Sequence, residues 1–221
     1  MYVAEQGVAA FERSIWEHLQ ERRKEPQDDV LTHLAEATFN DPQDGPRPLT
    51  DGEIINLIDY LYIGGNETTT FAITSALYLL AQQPGLSARL FDEVLRLESP
   101  TQGLWRGVTQ DVEIGGVPIA EGSTLHLRYG AANRDPARFD DPDRLDLARR
   151  NASRHVAFAA GEPRCPGEEL TKLEQRIAVE LFIARMGDLR FTPGRNDFEH
   201  LRGFWLRALR ELHVSFEPLP A

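Results

Sequence analysis

The chain has 221 residues, 41% of them hydrophobic, which is enough apolar material to build a core in one large domain or two small ones. Lys and Arg number 24 against 35 Asp and Glu, and the resulting charge of −11 argues against a general nucleic-acid-binding surface or a polybasic membrane anchor. A single cysteine, Cys165, excludes an internal disulfide framework and any zinc site made from several cysteines.

Met1 to Gly7 carry neither a basic run nor an apolar stretch of signal-peptide type, so the cytoplasm is the expected compartment. No window approaches the ~20 uninterrupted apolar residues of a membrane span. Helical periodicity runs from Val8 to Arg23 through Phe11, Ile15 and Leu19, and Pro26 ends the polar run behind it. A second helix is predicted over Asp28 to Ala37, followed by a turn-rich loop from Asn40 to Pro48. Thr50-Asp51-Gly52-Glu53 is a capping box that opens an apolar stretch free of proline as far as Gln83. As one helix at about 1.5 Å per residue it spans ~50 Å, and its apolar character places it in the middle of a domain. Gly64 to Thr70 collects weak helix formers and predicts a locally loosened segment there.

From Leu86 to Leu97 an amphipathic helix follows, with Val94 and Leu97 on one face and Glu93 and Arg96 one turn apart. Beyond Pro100 the period shifts toward two. Val112 to Ile119 reads as a hairpin around Gly115-Gly116, and Ser123 to Leu127 as a further strand. Asn133 to Arg154 is long, polar and irregular, and a helix from Gly167 to Arg185 leads into a tail of short extended pieces. The fold class is mainly α with a small β element.

Cys165 lies in the Gly/Pro-rich loop Phe158 to Glu168, directly before a helix whose N-terminal N–H groups and positive dipole end favour a thiolate. A lone cysteine is also often an inert buried thiol. Glu67 and Thr68 put an acid and a hydroxyl into an apolar helix, which suits a proton path. Threonine back-bonding with a surface glutamate accounts for the same pattern. Glu93 and Arg96 by themselves form an i,i+3 pair worth a few tenths of a kcal/mol, and Arg106, Arg154 and His155 are undistinguished singly.

Taken in order, the signals converge. Gly64-Gly65-Asn66-Glu67-Thr68-Thr69, Glu-x-x-Arg at 93 to 96, Ala132-Asn133-Arg134-Asp135-Pro136 with Phe139 and Asp141-Pro142-Asp143-Arg144, and a Phe-x-x-Gly-x-x-x-Cys-x-Gly loop at 158 to 167 resemble the cytochrome P450 haem-thiolate monooxygenases. The wording is most similar to the soluble bacterial type. The resemblance implies the C-terminal portion of that fold, including its long central helix and haem-binding loop, with residues 1–221 a partial domain that lacks the family's N-terminal half. It implies that Cys165 is the axial ligand of the iron of haem b (iron protoporphyrin IX). Gly161 and Gly167 would let the loop pass close to the haem, Phe158 would pack on it, and Gly64 and Gly65 would bring the central helix near the other face. Glu67 and Thr68 match the family's acid–alcohol pair, Arg106 and His155 its partners of the haem propionates, and Glu93, Arg96 and Arg144 its buried charge triad. Ala159 in place of a glycine, Pro163 in place of a basic residue and Leu145 in place of a phenylalanine depart from the pattern, and only eight residues separate Pro84 from Glu93.

The activity so implied is O2-dependent oxidation of a small apolar molecule, with electrons from NAD(P)H delivered by a ferredoxin-like or flavin reductase donor. The resemblance leaves only pocket residues near Leu104, Trp105, Phe204 and Trp205 in this chain, and they imply no more than an apolar pocket. The alternative is a truncated or split remnant that holds haem weakly or requires a separate N-terminal chain. Residues 141–176 balance seven acidic side chains against seven basic ones in a chain at −11, so an acidic donor is expected to be steered there by Arg150, Arg154, Arg164 and Lys172.

Overall fold

The computed structural model describes residues 2–43, 45–83, 90–161 and 164–220. The predicted helix start at Leu86 and the departure at Pro163 lie outside the described residues. The chain divides into two units, Met1–Gly64 and Gly65–Ala221.

The first unit contains α1 (Tyr2–Lys24), α2 (Val30–Glu36), the strands β1 (Thr38–Asp41) and β2 (Gly45–Pro48), and the beginning of α3 (Asp51–Gln82). Ile15 and Leu19 of α1 and Ile54 of α3 are its buried apolar residues. Asp29 caps α2, accepting from the Thr32 N–H at 2.9 Å, while its other oxygen takes Arg22 at 2.5 Å. The capping box forms as written. The Thr50 N–H and hydroxyl donate to Glu53 at 2.8 and 2.9 Å, and the Glu53 N–H returns to the Thr50 hydroxyl at 3.3 Å. Arg47 holds both oxygens of Glu53, at 2.8 and 2.7 Å, and with the cap lowers that carboxyl to about 2. The expected loop at 40–48 is instead a hairpin, with Thr38 opposite Pro48 and Asp41 opposite Gly45. A two-stranded ribbon has two open edges, so the missing N–H groups of Pro46 and Pro48 break no further ladder.

The second unit continues α3 and adds α4 (Leu90–Glu98), β3 (Leu104–Gly107), β4 (Val112–Ile114), β5 (Val117–Ile119), β6 (Thr124–Leu127), the short α5 (Tyr129–Ala132), a 3-10 turn (Ala152–Arg154), α6 (Glu168–Arg185), β7 (Met186–Phe191) and β8 (Val214–Pro218). Ala76, Leu79 and Leu80 of α3 pack with Val94 of α4 and Val179 of α6. Ala72, Leu95 and Phe158 form a second cluster, which carries the cysteine loop. The loosening expected at Gly64 to Thr70 is not realised, because α3 stays helical throughout. A glycine inside a helix costs up to ~1 kcal/mol, against ~1.5–3 kcal/mol gained for each leucine buried farther along. Gly115 and Gly116 adopt φ of 59° and 81°, the left-handed pair that a two-residue hairpin turn needs. The unpredicted β3 pairs antiparallel with β6, Leu104 opposite Leu127 and Arg106 opposite Leu125.

Behind the cysteine loop lies a buried charge cluster. Glu93 and Arg96 are 1% and 0% exposed. Arg96 Nε and Nη2 donate to the two Glu93 oxygens at 2.8 Å each, Nη1 donates to the carbonyls of Asn133 (2.8 Å) and Pro142 (2.7 Å), and Nη2 also reaches the Arg144 carbonyl (3.2 Å). The third charge is Arg149, whose Nε donates to Glu93 at 3.0 Å and whose side chain is 5% exposed. This corrects the expected triad: Arg144 supplies its backbone carbonyl while its side chain is exposed. The turn from Asp141 to Asp146 directs residue 144 outward and lets the Asp146 N–H bind Glu93 at 3.0 Å, which brings residue 149 back inside. Arg149→Ala is therefore expected to cost about 3 kcal/mol, as when one partner of a buried ion pair is removed, and Arg144→Ala no more than about 0.5 kcal/mol. Urea unfolding midpoints of the two variants check this, and the reverse ranking would restore Arg144 to the triad.

Candidate functional site

The loop that carries Cys165 is fixed at both ends. At its start the fully buried Asn133 donates from Nδ2 to the Ser99 hydroxyl at 2.8 Å and accepts the Val156 N–H at 2.7 Å. The Cys165 N–H donates to the Phe158 carbonyl at 3.1 Å, folding the loop back on itself. Gly167 is the N-cap of α6, and its carbonyl accepts the Thr171 N–H at 2.8 Å. The Cys165 side chain is exposed, one turn from the N-terminal end of an 18-residue helix. Gly161 has φ of 78°, and Ala159, where the pattern expects glycine, is held at φ of 66°.

Other glycines on these elements face no close contact among the described residues. A Cβ at Gly167 would meet Cys165 Sγ and Thr171 Oγ1 at an ordinary 3.9 Å, and at Gly64 or Gly65 it would meet nothing within 4 Å. On α3, Gly65 and Glu67 are exposed, Thr68 is half-buried and Thr69 is buried. Thr69 and Thr171 bring their hydroxyls to 3.4 Å, which ties the segment holding Glu67 and Thr68 to the cysteine helix. Glu67 and Thr68 themselves are consecutive on a helix and point about 100° apart, so they do not face each other directly.

Phe158 is 9% exposed, and its ring lies between the His155 ring (centroids 5.7 Å apart) and the ammonium of Lys172 (5.6 Å from its centroid). The His155 side chain is 4% exposed and faces Asp92, whose carboxylate oxygen lies 3.7 Å from Nε2. That is an ion-pair separation, longer than a direct hydrogen bond. The imidazole nonetheless holds the Asp92 carboxyl below its ordinary range, partial burial opposing it. Arg106 sits half-buried on β3 with Nη1 donating to the Trp105 carbonyl at 2.9 Å. Glu168, 8% exposed, accepts Arg164 at 2.5 and 2.7 Å and Lys172 at 2.6 Å, and Arg164 first, then Lys172, lowers its carboxyl against the cost of burial. Two of the four cations expected to steer a partner are thus engaged, whereas Arg150 and Arg154 are exposed.

Asn133, Arg149, Asp92, Glu168 and Lys172 gain roles that residue patterns did not assign. Asn133 stood inside a quoted motif and Glu168 lies three residues past the cysteine, so both were within reach. Asp92 and Arg149 depend on long-range contacts. An open groove of about 480 Å³ in the first unit, with Ser14, His18, Val30 and Ile58 on its walls, holds none of the predicted site residues. Among the described residues no helix is long and apolar enough to cross a membrane.

A family model described as Cytochrome P450 matches residues 3–94 and 90–186. Cytochrome P450 107B1 of Saccharopolyspora erythraea is 36% identical over 220 residues, covering 95% of this chain and 53% of the relative. The biotin biosynthesis cytochrome P450 of Bacillus subtilis is 35% identical over 225 residues, covering 97% and 54%. Among solved structures, substrate-free CYP150A6 of Mycobacterium marinum superposes with a TM-score of 0.86 at 31% identity, covering 96% of this chain and 55% of that one. P450BioI, solved with an acyl carrier protein ligated to hexadec-9Z-enoic acid, gives 0.83 at 34%, covering 97% and 54%. The chain spans about half the length of the curated relatives it matches.

The left-handed Ala159 yields a prediction independent of any ligand. This conformation costs a non-glycine residue about 1–2 kcal/mol, and a glycine gives back roughly 0.4–1 kcal/mol of that through the flexibility of the unfolded chain. Ala159→Gly is expected to raise stability by about 0.5–1 kcal/mol, seen as a higher denaturant midpoint at unchanged slope. A lower midpoint would show that the loop carries no such strain.

Proposed function

Because this chain belongs to the cytochrome P450 family, we propose that residues 1–221 form the C-terminal portion of a haem-thiolate monooxygenase that oxidises a small apolar molecule. Cytochromes P450 carry haem b and draw electrons from NAD(P)H through redox partners. The observation that carries the reading is the arrangement around Cys165: an exposed thiol at a helix N-terminus, on a loop anchored at both ends. The chain's residues fit the cofactor. His155 Nε2 is buried without a hydrogen-bond partner, and a Cβ at Gly65 would meet nothing within 4 Å among the described residues.

Haem, when bound, supplies the iron at which O2 is activated so that one oxygen atom enters the substrate and the other leaves as water. Cys165, at the N-terminal end of α6 where the helix dipole is positive, would provide the thiolate ligand. Arg106 and His155 supply donors for the propionates, worth more than neutral pairs because the acceptors are charged. Phe158, wedged between His155 and Lys172, keeps water from one side of the loop. The Thr68 hydroxyl both donates and accepts, and the exposed Glu67 carboxylate exchanges protons with solvent, so the two can hand protons inward along α3. Leu104, Trp105, Phe204 and Trp205 are the apolar side chains this chain offers to a substrate.

A second reading, a remnant that binds haem weakly or needs a separate N-terminal chain, is favoured by exposure. Beside the open Cys165, α6 shows an apolar stripe of Leu170 (59% exposed), Leu173 (43%), Ile177 (47%) and Leu181 (46%). One experiment separates the two. The chain loaded with haem, reduced under carbon monoxide, is expected to show the red-shifted Soret band of a thiolate-ligated complex, and Cys165→Ser is expected to lack it. Absence of the band in the unaltered chain would leave the remnant reading.

For electron delivery, an acidic ferredoxin-like or flavin reductase donor would dock beside the cysteine loop, steered mainly by Arg150 and Arg154, since Arg164 and Lys172 are held by Glu168. Reversing both charges, Arg150→Glu with Arg154→Glu, is expected to slow haem reduction by such a donor, most strongly at low salt. Unchanged stopped-flow reduction rates would place the docking surface elsewhere.

A further inference from the structure

Four atoms around His155 define its state. The backbone N–H of Ala157 donates to His155 Nδ1 at 3.2 Å, and since an amide N–H only donates, Nδ1 must be the unprotonated nitrogen. The neutral ring therefore carries its proton on Nε2. That Nε2 is buried and makes no hydrogen bond, an arrangement that folded proteins seldom tolerate without a reason. The acceptor facing it, Asp92 Oδ1, stops at 3.7 Å. Asp92 sits on α4 immediately before Glu93, so adjacent carboxylates of one helix turn engage two different segments, Glu93 the 144–149 turn and Asp92 the head of the cysteine loop.

We propose that Asp92 is a positioning residue: its carboxylate orients the buried His155 imidazole so that the Nε2–H is aimed but not consumed, and is presented to a carboxylate of the cofactor. A direct hydrogen bond to Asp92 would spend the only donor the ring has. A separation of 3.7 Å retains the electrostatic pull on the ring and leaves the donor to a second acceptor. The charged groups at this corner are Asp92 from α4 and Lys172 from α6, which acts on Asp92 and stands over Phe158. The inference rests on the haem-binding reading above for the identity of the second carboxylate.

The test has two arms on the full 221-residue chain. Without haem, the orientation of the His155 ring is followed by NMR in the unaltered chain and in Asp92→Ala, and the variant is expected to show weaker nuclear Overhauser contacts between the His155 and Phe158 rings, because the carboxylate that aims the imidazole is gone. With haem, transfer to apomyoglobin is followed. Asp92→Ala is expected to speed haem loss about tenfold, the lower end for an outer-shell partner, while Asp92→Asn, which keeps an acceptor oxygen in place, restores most of the retention. In a His155→Ala background, Asp92→Ala is expected to add nothing. An unchanged His155 ring orientation in Asp92→Ala overturns the proposal, as does an Asp92→Ala effect on haem retention that persists without His155. A reoriented ring in a chain that takes up no haem supports Asp92 as the positioning group of His155 and counts instead against the monooxygenase reading.

Discussion

The second unit is organised around one guanidinium. Arg96 has five N–H donors and no contact with water, and each donor meets an acceptor: two on Glu93 and the carbonyls of Asn133, Pro142 and Arg144. A buried charge with even one unmet donor is costly, so the backbone from residue 133 to 144 is held to a course that satisfies all five. An ion pair of this kind adds little net stability over apolar side chains of the same volume. What it supplies here is one defined path for a segment that has no strand and almost no helix of its own.

That path is passed on to the cysteine. Asn133, whose carbonyl caps Arg96, uses its side-chain oxygen to hold the Val156 N–H at the head of the loop. Phe158 then drops into the cluster with Ala72 of α3 and Leu95 of α4, and its carbonyl takes the Cys165 N–H. The thiol is thus three hydrogen-bonded steps from Arg96, and the helix bearing Thr68 packs on the same cluster. A change in the buried charges would be felt as a change in where Cys165 points, without any contact between them.

Much of this was legible in the sequence, and the failures have physical causes. The capping box at Thr50 and Glu53 and the Gly115-Gly116 turn are local devices, and both form as written. Spacing also found the cysteine loop, because a thiol before a helix flanked by glycines is a short-range pattern. Propensity misjudged Gly64 to Thr70, where packing farther along α3 overrides weak local preference. It also missed β3, four residues whose strand partner lies about twenty residues on. The choice between Arg144 and Arg149 depends on which way a turn directs two side chains, and no spacing rule reports that. Asp92 was invisible for a similar reason: its significance comes from the tautomer of a histidine in a different segment.

Charge near Cys165 has to be judged locally. The chain carries a net charge of −11. At physiological salt, however, exposed charges farther than about 8 Å are largely screened. Around the start of the helix that follows the cysteine, Arg164 and Lys172 share the carboxylate of Glu168, and Lys172 also lies 3.9 Å from the exposed Glu169. The N-terminus of α6 adds roughly half a positive charge at short range, through N–H groups that need no side chain. The positive end of α6 therefore lies beside Cys165 although the chain as a whole is acidic. The same screening argument applies to an approaching donor, which would meet Arg150 and Arg154 before it experiences the net charge of the chain.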